Sequence, residues 1–236
     1  MIRTVREGTE WVLIHIGVGA LALLGLWEWE RTGLAALRPL WSRLPGWPPT
    51  DVTFFLFTGG LGVGLLLGLG QALTGRLPVR SASWILRSGL GGGLALLIPW
   101  GLLWAIGPER VLPPMPPEFS SFLLIFGVNG ASLGLGVGLA QWTLLRRVIR
   151  AAWAWLTLTA FGGLLAGWGM AWWAGHWMDR LPEGQEPLGW LALGALAGLL
   201  FGVTTAWGLP ALSPPETDRP RKIRHASFGG REPENP

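Results

Sequence analysis

Residues 122–150 read FLLIFGVNGASLGLGVGLAQWTLLRRVIR. Gly130, Gly134 and Gly138 fall four apart and are followed by Gln141-Trp142, Arg146, Arg147 and Arg150. A spacing of four puts the three glycines on one face of a helix. That face has no side chains, so the backbone of a second helix can approach it closely. Seventy positions earlier the pattern occurs as Gly60, Gly64, Gly68, Gln71, Arg76 and Arg80. Gly194, Gly198 and Gly202 form a third such face, with Thr205 in the position of the glutamine. Long apolar helices built to touch backbone to backbone are the mark of an all-α membrane protein.

The rest of the chain agrees. Of 236 residues, 50% are hydrophobic and 14% charged, where soluble chains carry about 25% charged residues. The charges cluster between apolar runs, which predicts six transmembrane helices at about 11–28, 52–73, 84–106, 119–144, 153–177 and 188–209. Each offers roughly 20 residues, enough for a hydrocarbon layer of about 30 Å. The first run has basic residues before it, as a signal peptide does. It lacks a small-residue cleavage site and leads straight into Glu28-Trp29-Glu30-Arg31, so it reads as a retained span. Residues 34–44 are mildly amphipathic around Pro39 and are expected to lie along the interface. Pro99 is expected to kink the third span, and the five prolines of residues 107–118 to make a rigid loop. One membrane domain, residues 1–210, is expected, followed by a disordered, basic, proline-rich tail over residues 211–236.

With six spans both termini share a side. Thirteen of the 18 Lys and Arg fall there, which predicts cytoplasmic termini in a cell (inner) membrane. The net charge is +4 and the cations flank spans, so lipid headgroups rather than nucleic acid are the expected partners. The absence of cysteine excludes disulfides and thiolate metal sites.

At the offset of seventy the match continues past the turn: Ala82, Leu86, Gly92 and Gly93 recur as Ala152, Leu156, Gly162 and Gly163. The first span matches the third, with Trp11, Gly19 and Trp27 against Trp84, Gly92 and Trp100. The expectation is three pseudo-repeated parallel hairpins, one split between the first and sixth spans. The unit Gly138-x-x-Gln141-Trp142-x-x-Leu145-Arg146 resembles a group of bacterial multi-span proteins, from cyanobacteria and Chloroflexi-type bacteria, with tandem Gly-x-x-x-Gly-x-x-Gln-Trp-x-x-Leu-Arg units. The resemblance covers Gly60 to Gly163 and, more weakly, the sixth span. The second-span copy departs from it at Ala72 and Gly75. It implies a fold and no chemistry.

Gln71 and Gln141, with Thr205, read as interhelical hydrogen-bonding groups; the alternative is a polar ring at the mouth of a path. Asn129 reads as an interhelical donor. Arg87, one turn into its span, is expected to snorkel, with pairing to Gln71 or Gln141 as the alternative. Arg76, Arg80, Arg146, Arg147 and Arg150 read as topology anchors on lipid phosphates. His15 stands alone on an apolar helix, where packing or hydrogen bonding is the usual role and ligation of a haem or pigment the alternative. Ser132 precedes Leu133 and the sixth span has no histidine, against a serine-protease arrangement of the rhomboid type. No carboxylate lies deep in a span, and no phosphate-loop or paired-histidine motif occurs. Catalytic, cofactor and metal sites are therefore not expected. Other membrane proteins or further copies of the chain are expected partners. An accessory membrane subunit is the leading expectation and a small-solute or ion permease the alternative.

Overall fold

The computed structural model describes residues 2–33, 50–75, 77–106, 119–149 and 151–212. Six long helices carry the apolar runs: α1 (Ile2–Glu28), α2 (Thr50–Leu73), α3 (Ser81–Ile106), α4 (Phe119–Leu145), α5 (Ala152–Trp177) and α6 (Glu186–Ala206). A short α7 (Leu209–Leu212) follows. All six are long and apolar enough to cross a membrane, and no strand occurs among the described residues. The protein is an all-helical, multi-pass membrane protein. The interfacial stretch, the proline loop and the expected polar tail from residue 213 onward lie outside the described residues, as do Arg76 and Arg150, whereas residues 211–212 belong to α7.

Two element boundaries differ from expectation. The polar start belongs to α1, because Arg6 donates to Glu10 at 3.0 Å across one turn and carries the helix beyond its apolar part. At its other end α1 continues into a π turn, Trp29–Gly33, tied to α2 by Trp29 Nε1 donating to Thr58 Oγ1 at 3.0 Å. α3 runs as one helix through Pro99. Between α2 and α3 the chain reverses at Gly75, whose φ of 67° only glycine adopts freely.

The glycine faces decide which helices pair. A methyl group on Gly60 or Gly64 would collide with the backbone of Gly92 or Ser88 in α3. On Gly130 or Gly134 it would strike Gly163 or Thr159 in α5, and on Gly194 or Gly198 it would strike Gly19 or His15 in α1. One turn on, Gly68, Gly138 and Gly202 lie against the side chains of Ser88, Thr159 and His15. Backbone contact this close brings Cα–H groups against carbonyl oxygens, which favours the packed state modestly. The tight pairs are therefore α2–α3, α4–α5 and α1–α6. Looser contacts of α1 with α2, α3 with α4, and α5 with α6 join the pairs into a closed ring.

These contacts correct one register. The even helices match at seventy positions, but the partners of their glycines, Ser88 and Thr159 or Gly92 and Gly163, are seventy-one apart. The chain from Gly134 to its partner Thr159 is one residue longer than the chain from Gly64 to Ser88.

Candidate functional site

At the arginine-bearing end of the ring three indoles meet. Trp11 and Trp84 have 0% exposure and Trp155 2%. The Trp155 ring lies 5.8 Å from that of Trp11, edge-on, and 6.1 Å from that of Trp84. Each indole N–H finds an oxygen on the helix paired with its own. Trp84 Nε1 donates to Gln71 Oε1 at 2.8 Å, Trp155 Nε1 to Gln141 Oε1 at 2.7 Å, and Trp11 Nε1 to Thr205 Oγ1 at 2.9 Å. The glutamines are joined: Gln141 Nε2 donates to Gln71 Oε1 at 2.7 Å and to Ser88 Oγ at 2.8 Å. Gln71, Gln141 and Thr205 have no exposed surface. In a low-dielectric interior such donors must be satisfied, and here one amide satisfies two neighbours while accepting from a third.

One turn from each tryptophan a polar side chain returns to its carbonyl. Ser88 Oγ donates to Trp84 O at 2.8 Å, Thr159 Oγ1 to Trp155 O at 2.7 Å, and His15 Nδ1 to Trp11 O at 2.8 Å. A carbonyl only accepts, so His15 carries its proton on Nδ1 and presents Nε2 as an acceptor. That Nε2 and the Gln71 Nε2 are buried without partners.

Next to this layer the ring encloses a cavity of about 330 Å³ lined by residues of all six long helices. Leu67, Val18 and Phe201 are at its floor, and the Phe201 ring packs on His15 at 5.6 Å. Trp27, Glu30, Phe55 and Trp190 are at its rim. From Val18 to Glu30 the helical rise is about 18 Å. Apart from Glu30 and Asn129, the lining is apolar or glycine.

No family model, curated protein or solved structure matches this chain.

The residues singled out by sequence thus separate into three groups. Gln71, Gln141, Thr205 and His15 come together in the buried layer. Asn129 does not join it and lines the cavity instead. Arg87 pairs with neither glutamine; it donates through a terminal guanidinium nitrogen to Thr143 Oγ1 on α4. Arg80, Arg146 and Arg147 are exposed at the layer's end of the ring, and the Arg146 guanidinium lies 5.0 Å over the Trp142 ring. Among the described residues no cluster of His, Cys, Asp and Glu could hold a metal ion. Sequence reasoning missed Trp11, Trp84 and Trp155, together with Ser88 and Thr159. Their signal was Trp-x-x-x-His, -Ser or -Thr at the start of each odd span.

Proposed function

We propose that this chain is a non-enzymatic, accessory membrane protein, a sealed ring of helices that packs with other membrane proteins, further copies or lipid and conducts no solute. The observation that carries this reading is the buried layer. Polar side chains that serve a transport path face a water-filled cavity, whereas Gln71, Gln141 and Thr205 are shut from solvent and bonded to indoles. The outward residues Leu94, Leu135 and Val203 suit lipid or apolar helices. The permease reading has one observation in its favour, a cavity inside the ring, and it requires the three indoles to part.

The equivalent contacts of the three glycine faces support reading the helix pairs as pseudo-repeats about an axis along the membrane normal. We assign the likeness to the tandem Gly-x-x-x-Gly-x-x-Gln-Trp-x-x-Leu-Arg proteins on the same residues. We place both termini in the cytoplasm of a bacterial inner membrane on the arginine distribution.

Flux through the full chain in sealed liposomes tests the function. Release of potassium, chloride and glycerol is expected to match that of protein-free vesicles. A saturable flux abolished by Gln141→Ala, with the folded fraction unchanged, would replace the accessory reading with the permease.

A further inference from the structure

The cavity itself is the feature that this reading leaves unused, and we infer that it binds an apolar membrane molecule carrying one hydrogen-bonding oxygen, such as a long-chain alcohol. The first ground is the lining. Water enters a cavity that offers it two to four polar partners, and between floor and rim the walls offer the Asn129 side chain alone. Left empty, a void of 330 Å³ forfeits dispersion contacts along its whole surface. An apolar occupant restores them. The volume also lies within the range of small-molecule sites, about 300–1,000 Å³.

The second ground is access. Trp27 and Trp190 flank the rim together with Glu30. Tryptophan and a carboxylate at a helix end belong at headgroup depth, so the opening faces the region where amphiphiles of the bilayer carry their polar ends. The glycine contacts hold the walls beneath it, because Gly130, Gly134, Gly163 and Gly198 line the cavity and also fix the helix pairs. The site is thus part of the framework and does not have to be opened by a helix.

The third ground selects the chemistry. Asn129 projects from the wall of α4 without a hydrogen bond to a described residue. A plain hydrocarbon filling the cavity would cut its amide off from every partner, at the cost of its desolvation. A hydroxyl or carbonyl oxygen on the occupant satisfies it, and the amide can serve either because it both donates and accepts.

Photolabelling in vesicles containing the full chain tests the assignment. Three probes are compared: hexadecanol with a mid-chain diazirine, the matching alkane without the hydroxyl, and phosphatidylcholine with the diazirine in one acyl chain. The alcohol is expected to label Leu133, Ala166 and Ala197 in the cavity, over and above the outward residues Leu94, Leu135 and Val203. Asn129→Leu should weaken cavity labelling by the alcohol about five-fold, to the level of the alkane, for the loss of one hydrogen bond. Labelling of the outward residues should not change. Leu133→Trp fills the space and should abolish cavity labelling; if that variant fails to fold, Ala197→Phe fills it from α6. Cavity labelling no stronger than outward labelling, or equal labelling by alcohol and alkane in the unaltered chain, overturns the assignment. So does labelling by the phospholipid as heavy as by the alcohol, which would make the occupant a lipid tail.

Discussion

Gln141 makes three hydrogen bonds from one side-chain amide, two donated and one accepted, inside a layer with no exposed polar surface. Gln141→Leu strands the Trp155 N–H and removes the link to Gln71 and Ser88. A loss of about 2–3 kcal/mol is expected, at the upper end for orphaned buried groups. Thr205→Val strands only the Trp11 N–H and should cost about 1 kcal/mol. Thermal unfolding in mild detergent compares the two, and equal losses would mean that the bonds between glutamines contribute nothing. His15 invites a second measurement. Gly70, next to Gln71, lies against Ile14 and Val18 on the helix that carries His15. Gln71 Nε2 is a donor and His15 Nε2 an acceptor, both unpartnered. They should close a bond directly or through one water. Nitrogen NMR is expected to show a neutral ring protonated on Nδ1, and His15→Phe to destabilise by about 1 kcal/mol. A neutral or stabilising His15→Phe would show that the two atoms stay apart.

At the level of the helix, the four-spaced glycines separate positions that look alike in composition. Gly134 faces the backbone of Thr159 and Ala160, while Gly62 faces nothing within 4 Å. Gly134→Leu should destabilise by about 3 kcal/mol, the upper end for overpacking, and Gly62→Ala should be neutral or gain up to about 1 kcal/mol from helix propensity. Unfolding of both variants in detergent checks this, and a neutral Gly134→Leu would contradict the contact. The six helices were legible because apolar length and clustered charge state a span without ambiguity. Gln71 and Gln141 stood out because an amide after a glycine face is rare in a Leu-rich run. The layer they build was not legible. Trp11, Trp84 and Trp155 each sit near a span end, where tryptophan ordinarily faces headgroups, and nothing in one helix reveals that its indole meets an oxygen of another. The one-residue difference in partner spacing was hidden for a similar reason: in a run such as Gly91-Gly92-Gly93, offsets of seventy and seventy-one both find glycine.

For the molecule as a whole, the ring closes through the pair made by its first and last long helices. α2–α3 and α4–α5 join partners adjacent in sequence, so each pair can assemble soon after its second helix enters the membrane. α1 cannot. Its Gly19 and His15 face waits for Gly194 and Gly198, which are made after the other five described spans. During synthesis the first five helices are therefore expected to leave one seam uncovered, with α6 as the latch. A nascent chain halted after residue 180 is expected to form the contacts of Gly64 with Ser88 and of Gly134 with Thr159, read by cysteine cross-linking. Its α1 should stay sensitive to membrane proteases until α6 is supplied as a separate segment. Resistance of α1 before α6 arrives would show another partner on that face. Quality control that samples α1 is therefore expected to read the arrival of one late helix, with α1 degraded in chains that lack α6 and spared in chains that have it.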